Sequence, residues 1–189
     1  MIVNDYDIFQ QAGTHNKATI VHHNINVTHK NGLIIELVGV KENPAISGIE
    51  VIPNNGNFNF STLVPSTAPT AAPATITDPG QAVIRINAGG DEYIDSNGNK
   101  WSADKYVVNF YGQDYTDCFQ PVTGTFDDTL YCCHRWFATW TGSPYVYNIP
   151  VTTTGVYEVR LHFAEIVRTF GLLVCTIPHF SFVLCIAVY

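Results

Sequence analysis

The 189-residue chain carries 9 Lys and Arg against 16 Asp and Glu, a formal net charge of −7, so it lacks the basic surface that a phosphate backbone demands and no nucleic-acid partner is expected. Only 13% of its residues are charged while 46% are apolar, which excludes a disordered chain and supplies the material of a core. Five cysteines, at 118, 132, 133, 175 and 185, cannot all pair within the chain and match no zinc spacing, so neither a metal nor a cofactor is expected.

Residues 1–53 read as strands and turns. Ile25 and Val27 lie in a first strand, Lys30-Asn31-Gly32 marks a turn and Leu33 to Val38 a second strand, which together predict a hairpin. A third strand runs from Ile46 to Ile52 after Pro44. No signal peptide is visible in Met1 to Gln10, which holds Asp5 and Asp7 and no basic segment followed by an apolar run. Two sequons, Asn26-Val27-Thr28 and Asn59-Phe60-Ser61, are usable only in a secretory compartment and lean the expected location towards the endoplasmic reticulum lumen or the cell exterior.

Residues 54–80 change character, with Pro65, Pro69, Pro73 and Pro79 among Ser, Thr, Ala and Asn and one charge, Asp78. This is the composition of a linker, and at ~3.3 Å per residue it could reach about 90 Å. Strand signals resume at Gln81: Ala82 to Asn87 ends at Gly89-Gly90, and Glu92 to Ile94 turns through Asp95-Ser96-Asn97-Gly98-Asn99. That turn superficially resembles a calcium loop, but Tyr106 stands where the bidentate carboxylate belongs, so a hairpin turn is expected.

A short helical turn is predicted within Asp127 to Arg135, with Asp127 or Asp128 at its start. From Val156 to Ile166 the period is two, with Tyr157, Val159, Leu161 and Phe163 on one face and Glu158, Arg160 and His162 on the other. No segment sustains a helical period, and an all-β, antiparallel β-sandwich is the economical fold. The segment 167–189 stands apart, because Phe170 to Tyr189 carries no Asp, Glu, Lys or Arg. Three readings stay open for it: sequence foreign to the fold, buried strands, or a membrane anchor.

Three stretches of the second half stand together: Ile84-Arg85-Ile86-Asn87-Ala88-Gly89-Gly90, then Asp127-Asp128-Thr129-Leu130-Tyr131-Cys132-Cys133-His134-Arg135-Trp136, then Tyr147-Asn148-Ile149-Pro150-Val151 with Leu161-His162-Phe163-Ala164-Glu165-Ile166. Their order and spacing resemble the N-terminal half of a malectin domain. Residues 4–53 resemble the C-terminal half of the same family, in Asn4-Asp5-Tyr6-Asp7-Ile8 before Ala12-Gly13 and in Asn43-Pro44-Ala45-Ile46-Ser47-Gly48-Ile49-Glu50-Val51. The halves stand in inverted order. The organisation expected is therefore 1–53 as a C-terminal half, 54–80 as linker, 81–166 as an N-terminal half and 167–189 as a tail of doubtful origin. Either these are pieces of two domains, or one jelly-roll-like sandwich is closed by circular permutation, which would cover the apolar face and edges a half sandwich exposes.

The resemblance implies a non-catalytic module whose loops bind glucose-containing oligosaccharide or a cell-wall glycan. Such a site needs aromatic faces for the C–H side of a pyranose and fixed polar groups for its hydroxyls. The candidates are Tyr93, Tyr106, Tyr131, Trp136 and Phe137 as aromatics, with Asp91 and Arg135 as polar partners; Tyr93, Tyr131 and Trp136 lie in the family's motif regions. An acid near the Asn-Pro segment, here Glu42, is a further implied contact. Tyr131 and Trp136 serve equally well as core residues, and Trp101 better so. Asp91, Glu92, Asp127, Asp128 and Glu165 offer carboxylates, but nothing selects a catalytic pair and no enzyme is expected. His134 beside Cys132-Cys133 has no partner cluster for metal or thiol chemistry, and a disulfide from Cys118 to Cys132 or Cys133 is the milder expectation. The competing reading is a truncated remnant that binds no sugar and serves as a structural or protein-interaction segment.

Overall fold

A computed structural model describes residues 2–28, 32–41, 44–54, 83–108, 112–116, 121–137, 144–166, 168–170, 173–175 and 181–188. The first segment gives β1 (Ile2–Asp7), α1 (Ile8–Ala12), β2 (Ala18–Val27), β3 (Leu33–Lys41), β4 (Ala45–Ile46) and β5 (Gly48–Asn54). The second gives β6 (Ile84–Asn87), β7 (Tyr93–Ile94), β8 (Lys100–Trp101), β9 (Val107–Val108), β10 (Gly112–Thr116), α2 (Asp128–Cys132), β11 (Cys133–Phe137), β12 (Tyr145–Ile149) and β13 (Gly155–Ala164). Beyond these lie β14 (Arg168–Phe170), β15 (Leu173–Cys175) and β16 (Ser181–Val188).

Two antiparallel sheets face each other, one in the order β1-β16-β3-β12-β9, the other β2-β13-β5-β6. The fold is an all-β sandwich; both segments contribute strands to each sheet, and in the second sheet they alternate. β13 shows why the pattern folds this way: its odd residues Tyr157, Val159, Leu161 and Phe163 are buried against Leu33, Ile35, Leu37, Tyr147 and Phe182 of the opposite sheet. Its even face is not left to water, since Glu158 and His162 are buried as well. A smaller cluster of Trp101, Val122, Leu130, Tyr131, Ala164 and Ile166 covers the far side of β13 at the His162 end.

One expectation changes, and one open question closes. β2 and β3 form no hairpin, because β2 pairs with β13 and β3 with β16 and β12. Both strands are apolar on one face, and burying those faces against each other across the sandwich satisfies more surface than pairing side by side. The apolar tail resolves at 181–188 into β16, inserted between β1 and β3. Phe182 lies 5.5 Å from the Tyr6 ring and 5.3 Å from Phe163, so this strand carries part of the core. No helix among the described residues is long and apolar enough to cross a membrane.

The turn after β7 is a hairpin turn: Tyr93 pairs with Trp101 and Ile94 with Lys100. Asp95 holds it, accepting from the Asn97 and Asn99 N–H groups and from Trp101 Nε1 at 3.0 Å. α2 begins after Asp127, whose carboxylate makes no cap bond to its own helix. It accepts the Ser96 N–H at 2.7 Å and the Ser96 hydroxyl at 3.1 Å instead, pinning the hairpin to the helix. Cys132 is disulfide-bonded and Cys133 keeps its thiol. Of the expected linker 54–80, Asn54 ends β5 and residues 55–80 lie outside the described residues, as do Cys118, Glu42 and the side chain of Phe137.

Candidate functional site

One carboxylate organises the end of the sandwich where the Gly-Gly turn, the 102–106 loop and β11 meet. Asp104 Oδ2 accepts the Gly89 N–H at 2.8 Å and Arg135 Nε at 2.7 Å, and Oδ1 accepts the Tyr147 hydroxyl at 3.1 Å. The Asp104 N–H donates back to the Gly90 carbonyl at 3.0 Å, so loop and turn clasp each other through both backbone and side chain. Burial, reinforced by the Asp104 charge, pushes the Tyr147 phenol well above its ordinary range and keeps it a donor.

The turn can sit here only because it is glycine. Gly89 has φ +76°, and a Cβ there would stand 2.4 Å from the His134 carbonyl carbon and oxygen, so strand β11 passes directly against its backbone. Asn87 secures the other side, donating from Nδ2 to the Asp91 carbonyl at 2.8 Å. The Ala88 N–H adds a bond to the Ser47 carbonyl at 3.0 Å, tying the turn to the first segment, and β4 pairs with β11 at Arg135–Ile46 and Trp136–Ala45.

The candidates distribute unevenly around this clasp. Arg135 is part of it, 5% exposed, and its guanidinium is committed to Asp104. Asp91 is exposed, one residue beyond Gly90. Trp136 is half-buried on β11. Tyr106, two residues past Asp104, has φ +69°, a conformation that L residues with large side chains rarely hold. Its carbonyl accepts the Asn148 N–H at 2.9 Å, and Lys105 Nζ lies 5.1 Å from its ring, which is exposed to solvent.

Tyr93 and Tyr131 belong to a different group, on the outer face of the second sheet. Tyr93 stacks on Trp101 at 6.0 Å, Trp101 meets His162 edge-on at 5.4 Å, and Tyr131, 3% exposed, lies against the same imidazole. His162 Nε2 faces Glu50 Oε2 at 3.2 Å, an atom that only accepts, so Nε2 carries hydrogen, and Nδ1 pairs with the Tyr131 hydroxyl at 2.9 Å. Glu50 Oε1 also takes Arg85 Nε at 2.8 Å. Burial opposes the Glu50 charge, but the His162 hydrogen bond and the charges of His162, Arg160 and Arg85 outweigh it and hold the carboxyl near 2. Beside it Glu158, bonded to His22 and bidentate to Arg160, is likewise held near 2. Burial first, then Asp127 and Asp95, raise the Tyr93 phenol above its ordinary range.

Asp104 is the residue that sequence reasoning missed. The signal was present in Arg135, which occupies a core-facing register position on β11 and therefore requires a buried counter-charge.

An antiparallel sandwich with a loop cluster bound together at one end is a scaffold shared by binding modules of many kinds, so the fold alone does not name the ligand. Residues 82–170, just under half of the chain, match the family model of the malectin domain. Malectin domains are non-catalytic carbohydrate-binding modules, and the general function that this match suggests is carbohydrate binding. No curated protein and no solved structure matches the chain.

Proposed function

We propose that this chain is a non-catalytic carbohydrate-binding module that takes a glucose-containing oligosaccharide or polysaccharide at the loop end organised by Asp104. The observation that carries the reading is the Asp104 clasp: it ties the backbone of the Gly-Gly turn and the 102–106 loop to the Arg135 side chain of β11. A fixed frame is what a sugar site requires, because the ordering of loops is then not charged against a weak ligand. In this reading Tyr106 and Trp136 supply apolar faces, Asp91 accepts hydroxyl hydrogens, and Arg135 holds the frame. Tyr93 is the solvent end of a separate stack, and Tyr131 supports it from within.

The test is a titration of the full chain with maltose, nigerose and longer glucans, followed by tryptophan fluorescence and amide NMR shifts. Saturable shifts at residues 89–91, 104–106 and 134–136 support the proposal; a cooperatively folded chain that ignores every glucan overturns it. The burial of Arg135 and Tyr131 favours one alternative, a sandwich that retains the family's packing and binds no sugar, serving as a structural or protein-interaction segment. The disulfide at Cys132 supports a secretory location, in the endoplasmic reticulum lumen or outside the cell. Fractionation of the tagged chain in its own cells decides that point, and recovery from the cytosol overturns it.

A further inference from the structure

Among the described residues, the second sheet ends in a strand with one edge that no other strand covers. β2 is ten residues long and pairs along its whole length with β13, from Ala18–Ala164 to Val27–Gly155. On its other side the described residues cover the start: the Ala18 N–H bonds the Thr123 carbonyl and the Thr123 N–H bonds the Asn16 carbonyl. Among the described residues no strand pairs with the remaining edge. An open edge of this length is a template for pairing with another chain, and proteins usually blunt it with lysine, proline or a bulge. β2, Ala-Thr-Ile-Val-His-His-Asn-Ile-Asn-Val, has no lysine and no proline, and its register to β13 runs without a shift.

Near the end of that edge stands Asn26, in the sequon Asn26-Val27-Thr28. The geometry of the strand separates the sequon by face. Val27 points into the core at 1% exposure, while Asn26 and Thr28 are exposed on the outer face. A group attached to Asn26 Nδ2 therefore leaves the sandwich without disturbing its packing. Opposite Asn26 in the ladder is Val156, 41% exposed, an apolar surface that the C–H face of a first sugar would cover.

We propose that Asn26 carries an N-linked glycan in the folded protein and that this glycan screens the open β2 edge from edge-to-edge pairing. The donor class is a polyprenyl-diphosphate oligosaccharide. Asn26 Nδ2 forms a bond to sugar C1 as the C1–O bond to the diphosphate breaks. The diphosphate leaves with the electron pair, and Nδ2 gives up one proton to a base of the transferase. The inference rests on the secretory location proposed above and is independent of sugar binding at the loop end.

The test uses the full chain delivered into the lumen of a eukaryotic host, with Asn59→Gln introduced so that Asn26 alone is scored. Expected is a single glycan removed by peptide amidase with conversion of Asn26 to aspartate, and its complete loss in the Thr28→Ala variant, which keeps Asn26 itself. Size exclusion is expected to show the occupied chain as monomer and the Thr28→Ala chain shifted at least severalfold towards dimer and larger species. If that variant is not recovered, trimming the glycan of the folded occupied chain to its first sugar gives the same readout. An unmodified Asn26 in the folded, monomeric fraction overturns the site. Unglycosylated chain that stays as monomeric as the occupied chain overturns the edge-screening role. Because the test delivers the chain to the lumen, a bare Asn26 sinks this inference alone, whereas cytosolic recovery in the fractionation sinks the location.

Discussion

Two buried carboxylates, Asp104 and Glu50, each hold arginine, yet they lie on different parts of the molecule and bind different kinds of partner. Asp104 bonds backbone as well as side chains, and the backbone it bonds, from its own loop, is that of the Gly-Gly turn. Glu50 bonds only side chains, and its partners Arg85, Arg160 and His162 stand on strands that ladder hydrogen bonds already join. A charge at a loop thus determines conformation, while a charge across a ladder reinforces a conformation that exists without it. The first loss should dismantle the proposed binding end; the second should cost stability and leave that end in place.

The largest effect is expected from Gly89→Ala. A Cβ at φ +76° standing 2.4 Å from the His134 carbonyl has nowhere to go, because both neighbours are backbone. Strain and displaced strand together should cost more than ~3 kcal/mol, seen as a chain that fails to melt cooperatively. A Gly89→Ala protein with an unchanged melting temperature would mean that the turn does not press on β11.

Asp104→Asn comes next. It keeps the shape but leaves the Arg135 guanidinium buried without its counter-charge, which should cost about 3 to 5 kcal/mol. The amide signals of residues 89–91 and 104–106 should broaden even where the core still melts as a unit, and glucan binding should disappear with them. Glu50→Gln should cost less, about 1 to 3 kcal/mol, because Arg85 and Arg160 reach partial solvent and Arg160 keeps Glu158. Glucan affinity should not change.

The same contrast has a pH signature. Glu50 and Glu158 are held near 2 in the folded chain against an ordinary value of 4.5, so the folded state binds fewer protons than the unfolded one between those values. Their contribution is complete above about 4.5 and is lost as the pH falls towards 2. The melting temperature of the native chain should therefore drop through that window, and Glu50→Gln should flatten the slope. An equal slope in both proteins would remove Glu50 from the account.

The sequence carried the period of β13, the Asp95 turn, the helical turn after Asp127 and the glycine pair, because each is a local pattern with a local cause. It did not carry the partners of β2 and β3, since alternation fixes which face is apolar and leaves the neighbour unnamed. It did not decide the tail either: β16 is Ser181 to Val188, and a strand buried at the centre of a sheet is apolar enough to be read as an anchor. Arg135 was legible as a motif residue but not as a buried one, while for Tyr131 the core reading stood level with the ligand platform and the structure takes the core. Asp104 sits in a polar loop with no period to single it out, and only its pairing with Arg135 gives it a role.

The smallest effect is the sharpest, because stability and binding should move in opposite directions. Tyr106 holds φ +69° two residues beyond Asp104, with its ring over Lys105 and open to solvent. A large side chain in that region costs about 1 kcal/mol or more, and glycine occupies it without strain. Tyr106→Gly should raise the melting temperature slightly, or at least not lower it, since the carbonyl that accepts from Asn148 stays. If the strain is retained because the ring faces a sugar, the same substitution should weaken glucan binding by roughly fivefold or more, the value of one aromatic face at about 1 kcal/mol. A variant that is more stable and binds as well as the native chain would show the ring to be idle. The proposed site would then retreat to Trp136 and the polar groups around the Gly-Gly turn.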